Sequence, residues 1–322
     1  MNLAVFFHIL GHNITPIFTL VALGFLVSKR FNLDLYSLSK LTFYLFSPAF
    51  IFVNLYTTTL NLSMLKVLFC AILLLIIHDA VGRIIAKIRN YDIGLENAFK
   101  NSIMFNNSGN IGLSLVMLVF SGAPFVIDGK TPYLSEAIAA QIVILVFQNI
   151  SSNTLGFYNA GRSHFKAKDS ILQVLSMPSV YVIPTAFILK GIDFNLTETI
   201  IWPVLDYLKN GMVPIVLLTL GVQLSKTKFN FTSHDVHISV FTKLFIGPAL
   251  AVACIHLFGF NGVVAQTVFI AYSVPTAINT ALIAVECKSC PDFASQAVMV
   301  STIFSAITLT IAIYAARIMF PV

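Results

Sequence analysis

The chain has 322 residues, of which 57% are hydrophobic and only 10% charged, with a mean hydropathy of +0.89. Soluble domains carry about 25% charged residues, so this chain has too little polar surface to dissolve and reads as an all-α polytopic membrane protein. The net charge of +6 does not indicate a nucleic-acid partner, because the basic residues are scattered between apolar runs.

A helix that spans the bilayer needs about 20 mostly apolar residues. Ten such runs follow in order: 5–28, 38–58, 64–88, 95–120, 134–158, 171–190, 198–224, 235–258, 262–286 and 293–318. The first begins inside Met1–Leu10, which has neither a basic n-region nor a small-residue cleavage site and is read as part of the span, not as a removed leader. The separators SKRFNLD, RNYDIG, GAPFVIDGKTP, NAGRSHFKAKD, KGIDFN, SKTKFNFTSHD, FGFNG and CKSCPD gather Gly, Pro, Asn, Asp and Lys, as loops do.

An excess of Lys and Arg marks the cytoplasmic side. Lys29, Arg30 and Lys40 follow span 1, and Arg83, Lys87, Arg89 and Lys100 follow span 3. Arg162, Lys166 and Lys168 follow span 5, Lys226 and Lys228 span 7, and Lys288 span 9. These thirteen stand against four on the other side, Lys66, Lys130, Lys190 and Arg317, while Lys209 and Lys243 fall inside spans. The expectation is a multi-pass protein of the cell membrane with both termini extracytoplasmic. Cys287 and Cys290 form one CxxC on the cytoplasmic side, half a tetrahedral metal site at most. No cofactor or metal is expected.

Ten spans divide at residue 165 into two sets of five, 1–165 and 166–322. Because five is odd, the second set starts on the opposite side, so homologous halves would be inverted repeats, as in many secondary transporters. The fourth span of each half is interrupted. Span 4 contains FNNSGNIGLS (Phe105–Ser114), and span 9 contains AYSVPTAINTALIAVE (Ala271–Glu286). Proline removes a donor and clashes with the carbonyl four residues back, whereas Gly109 and Gly112 weaken span 4 by flexibility.

A broken helix exposes unpaired N–H and C=O groups. In hydrocarbon these are tolerated only inside protein or beside water. Short polar side chains satisfy some of them and leave others for a ligand. The half-helix after each break turns its partly positive N-terminus toward the break, so two breaks that meet would offer two such ends to one anion. The candidate substrate-binding residues are Asn106, Asn107, Ser108, Gly109, Asn110 and Gly112 with Pro275, Thr276 and Asn279. Two interruptions at equivalent positions favour a site over simple close packing of helices.

The chain resembles the auxin efflux carrier family. PIFTLVALGFLVSKR (Pro16–Arg30) looks like that family's first span, NNSGNIGLSL (Asn106–Leu115) is similar to its broken fourth span, and VPTAINTALIAVE (Val274–Glu286) to its broken ninth. The absence of a long hydrophilic loop after span 5 matches the short bacterial members. The resemblance implies ten helices whose fourth and ninth cross at their breaks in mid-membrane, a scaffold of spans 1, 2, 6 and 7, and a mobile domain of spans 3–5 and 8–10. It further implies elevator transport of malonate, malate or another organic acid, and a homodimer formed through the scaffold. Where many members have a proline after the span 4 glycine, this chain has Ser114, so Gly109 and Gly112 are left to do the unwinding.

Ionisable residues inside spans are costly and mark pathways. Asp79 and Arg83 are four apart and share a helical face. In plant relatives an acid and a base at this spacing in span 3 support the substrate site, whereas the structural alternative is an interfacial ion pair. Gln148 lies near the middle of span 5, as a substrate contact or as polar packing between helices. Lys243 in span 8 offsets an anion's charge or snorkels to the edge. The leading function is therefore a secondary carrier of a small organic anion. Its drive is membrane potential, protons or sodium, with Asp79 the proton-linked candidate. The alternative is a passive channel or sensor of the same fold. An enzyme is not expected, since no motif supplies a nucleophile with its base, and the phosphate loop of a primary pump is absent.

Overall fold

The computed structural model describes residues 7, 9–57, 63–161, 178–192, 195–226 and 233–322. Arg162, Lys166, Lys168, Lys228, the boundary at 165, the start of span 6 and most of Met1–Leu10 lie outside the described residues. Among those described, every extended element is a helix. In chain order these are α1 (Leu10–Arg30), α2 (Leu35–Thr57), α3 (Ser63–Arg89), α4 (Ile93–Met104), α5 (Ser108–Phe120) and α6 (Leu134–Ala160). They continue as α7 (Pro178–Gly191), α8 (Trp202–Lys226), α9 (His234–Phe258), α10 (Gly262–Ser273), α11 (Ile278–Glu286) and α12 (Pro291–Met319).

Seven of these, α1, α2, α3, α6, α8, α9 and α12, are long and apolar enough to cross a membrane. The other three expected spans are not single long helices. Span 4 is α4 and α5 around a non-helical joint, and span 9 is α10 and α11 around another. Span 6 is described only from Pro178, as the short helix α7.

Local chemistry sets the ends. Asp34 caps α2 by accepting from the N–H of Tyr36 and Ser37, and Asp92 caps α4 by accepting from Leu95 N–H at 2.8 Å. Gly259, in the left-handed region at φ 67°, terminates α9. Pro291 opens α12, where its missing N–H costs nothing. Just past the C-terminal end of α3, the Tyr91 hydroxyl donates to Asp235 Oδ1 of α9 at 2.7 Å, with Arg89 at 3.3 Å from the same oxygen. Burial, followed by that bond to Asp235, pushes the Tyr91 phenol up to about 12, so it stays a neutral donor.

Two packing groups are evident. α8 lies along α1, and both α7 and α8 pack on α2. The close approach of α1 and α8 needs glycine on both sides: a Cβ on Gly24 would run into the Leu218 carbonyl, and one on Gly221 into that of Val21. In the second group α3 packs on α4, α6 and α9, α10 on α6, α9 and α12, and α11 on α12. Large apolar side chains such as Leu26, Phe69, Ile76, Leu257 and Ile307 remain exposed on the outside, a surface suited to hydrocarbon.

Lys100 departs from the sequence reading. It is not a loop cation but a residue of α4, 2% exposed, with Nζ 3.0 Å from Asp79 Oδ1. A buried ammonium needs a carboxylate or carbonyl neighbour, and α3 supplies one.

Candidate functional site

The two joints meet. Asn106 and Thr276 form an antiparallel bridge. Asn107 N–H donates to the Pro275 carbonyl at 2.9 Å, and Ala277 N–H donates to the Phe105 carbonyl at 2.9 Å. The backbone exposed by each break is thus satisfied in part by the other. The extended conformation begins at Phe105 (φ −102°, ψ 124°) in the first joint and at Val274 (φ −72°, ψ 156°) in the second. Val274 is extended because it precedes proline.

The unwinding in span 4 is not done by the glycines, which corrects the expectation. It occurs at Phe105–Asn107, and the chain re-enters a helix through a wide turn at Ser108–Gly112. Gly112 serves packing: a Cβ there would lie 2.8 Å from Gln141 Nε2, which donates to the Ser108 carbonyl at 2.9 Å. Ser114 Oγ donates to the Asn110 carbonyl at 2.6 Å, within the helix.

Behind the joints lies a layer of buried polar contacts. Asn106 N–H donates to Gln148 Oε1 at 3.1 Å. Thr276 Oγ1 donates to the Ser102 carbonyl at 2.8 Å, and Thr276 N–H to Ser301 Oγ at 3.2 Å. Lys243 of α9 is 1% exposed. Its Nζ donates to the Ile103 carbonyl at 3.0 Å and also to Asn106 Oδ1. Ile103 is in the last turn of α4, where carbonyls lack helical partners and the dipole is negative. Lys243 therefore neutralises a helix end and does not snorkel. Among the described residues no carboxylate pairs with it.

In front of the joints is a cavity of about 400 Å³. One wall is the breaks and α6: Asn106, Asn107, Ser108, Gly109, Asn110, Asn149, Ala277 and Asn279. The facing wall comes from α2 and α8, with Tyr36, Ser39, Thr42, Thr219 and Gln223 polar and Met212 and Val216 apolar. Among the described residues, none that lines it is charged. Asn106, Asn107 and Ser108 are at most 4% exposed, yet Asn106 Nδ2, Asn107 Nδ2 and Ser108 Oγ have no hydrogen-bond partner among the described residues.

The candidates therefore separate. Asn106, Asn107, Ser108, Gly109, Asn110 and Asn279 line the cavity, whereas Gly112, Gln148, Pro275, Thr276 and Lys243 do not. Asp79 and Arg83 form a pair at 2.6 Å, also away from the lining. The facing wall was not named from the sequence. Thr219 and Gln223, four apart on one face of α8, were the available signal there.

A family model described as "Membrane transport protein" matches residues 164–313. An "uncharacterized transporter" of Methanothermobacter thermautotrophicus is 23% identical over 307 residues, covering 92% of this chain and 95% of that protein.

Proposed function

We propose that this chain, a membrane transport protein of the auxin efflux carrier family, carries a small organic anion by alternating access. The observation that carries the reading is a set of buried donors without a partner among the described residues, Asn106 Nδ2, Asn107 Nδ2 and Ser108 Oγ, on residues that line a cavity where no described residue is charged. A buried donor left unpaired costs about 1–3 kcal/mol, and a ligand rich in acceptor oxygens removes that cost. The half-helices α5 and α11 start at the same place, so their dipoles add to the preference for negative charge. A carboxylate such as malonate, malate or an auxin-like acid fits this chemistry, with Leu145, Met212, Val216 and Ile278 to cover its carbon body.

In this reading ten spans form two inverted repeats, with both termini outside the cell membrane. The group α1, α2, α7 and α8 is the fixed scaffold, through which two copies pair. The group bearing the breaks slides past it as an elevator, driven by protons, sodium or membrane potential. The location of the cavity between the two packing groups supports this, since sliding one wall past the other would change which side it faces.

A thermal-shift screen of dicarboxylates, amino acids and indole acids finds the substrate, because a bound ligand raises apparent stability. With that substrate in proteoliposomes, Asn110→Ala and Asn279→Ala abolish transport while the protein stays folded, and wild type shows trans-stimulated exchange. Wild-type rates in both variants would overturn the site, and conductance without exchange would overturn the carrier.

A further inference from the structure

We infer that Lys243 is the positioning residue that makes the cavity select anions, by fixing which end of the Asn106 amide is left for the ligand. This deepens the anion reading and rests on it. An asparagine amide has an acceptor oxygen at one end and a two-proton donor at the other, in nearly the same shape. Left free, Asn106 could offer either end to the cavity it lines. Lys243 removes the choice. An ammonium has three donors and no acceptor, so only Oδ1 can face it, as observed. The other end, Nδ2, is then the one without a partner among the described residues.

Two further contacts hold the arrangement. The Lys243 ammonium is anchored independently by the Ile103 carbonyl at 3.0 Å, so it does not follow the amide if that rotates. The Asn106 backbone is fixed by its N–H donating to Gln148 Oε1 at 3.1 Å. Lys243 is 1% exposed and does not line the cavity, so it touches the ligand's surroundings only through Asn106. With the amide locked, a carboxylate finds a donor at this position, while a ligand that presents an N–H there finds no acceptor.

The test is a double-mutant cycle read by ligand affinity. The probes are the carboxylate that best stabilises the wild type and its neutral amide, for example malonate and malonamide. Lys243→Met and Asn106→Ala are each expected to weaken carboxylate binding about tenfold or more, the worth of one hydrogen bond to a charged group. Because both act through one amide, the double variant is no weaker than the weaker single. Lys243→Arg restores affinity, and the neutral amide loses nothing in Lys243→Met. Multiplying losses in the double variant would show that the lysine acts by its own charge and overturn the proposal, as would carboxylate affinity within twofold of wild type in Lys243→Met. If Lys243→Met does not fold, Lys243→Gln, which keeps a donor for Ile103, takes its place in the same cycle. A wild type that no carboxylate stabilises overturns the anion reading itself, an outcome distinct from a wild type that binds and variants that break the expected pattern.

Discussion

Asp79 receives Arg83 Nε on one oxygen at 2.6 Å and Lys100 Nζ on the other at 3.0 Å. The two cations are not equivalent, because the Arg83 side chain is 61% exposed and that of Lys100 only 2%. Exposed ion pairs contribute about 0–1 kcal/mol, whereas removing the partner of a buried charge costs several. Asp79→Ala is therefore expected to destabilise the protein by about 3 kcal/mol, and Arg83→Ala by less than about 1 kcal/mol. Unfolding of the two purified variants side by side checks this, and equal losses would refute it. The Asp79–Arg83 pair was legible in the sequence because both residues lie on one helix at a spacing that forces them together. Lys100 was not, because it reaches Asp79 from a different helix, and charge counting alone assigned it to a loop.

The breaks show the same division among elements. That spans 4 and 9 are interrupted followed from Pro275 and from the cluster of Asn, Ser and Gly, whose local physics is independent of the fold. Which residues unwind did not follow: the joint lies at Phe105–Asn107, one residue ahead of the glycines' turn, because Pro275 and Ala277 offer backbone partners there. Glycine has its strictest role elsewhere, where α1 and α8 touch. At Gly221 an added Cβ meets only backbone, the Val21 carbonyl and the Phe25 nitrogen, which no rotamer change can relieve. Gly221→Ala is expected to force the helices apart and cost about 1–3 kcal/mol or more, seen as a lower melting temperature. Gly191→Ala, which meets nothing within 4 Å, is the control and leaves it unchanged.

For the whole molecule, the cavity and a bond between the two packing groups sit at opposite ends of α1. The cavity reaches Leu35 and Tyr36, just past the C-terminal end of α1. Near the other end, about 25 Å away at 1.5 Å per residue, Asn13 Nδ2 donates to the Leu118 carbonyl of α5 at 3.1 Å. This bond ties one packing group to the other on the side away from the cavity. In a carrier that exchanges between two facings, Asn13→Leu weakens the closed end and raises the share of molecules open there by roughly three- to tenfold. The check is the labelling rate of Met117→Cys from that side by an impermeant thiol reagent. Unchanged labelling would refute the latch. Of the native cysteines, Cys70, Cys254 and Cys287 are buried, so Cys290 is the background to remove.

The sequence by itself determined the membrane class, seven of the spans from their length and apolarity, and the fact that two further segments are interrupted. Each of these depends on composition or on neighbours within one helix. Only the tertiary structure decided that the interruptions bond to each other, that Lys100 belongs to Asp79, and that Lys243 belongs to Ile103 and Asn106. It alone gave the cavity a second wall from α2 and α8. Those pairings join residues more than a hundred positions apart in several cases, such as Lys243 and Asn106, and no local preference of the chain specifies a partner on another helix. Burial then gives them their meaning, because an unpaired donor such as Asn106 Nδ2 is of no consequence in water and carries a cost only where the fold has excluded it.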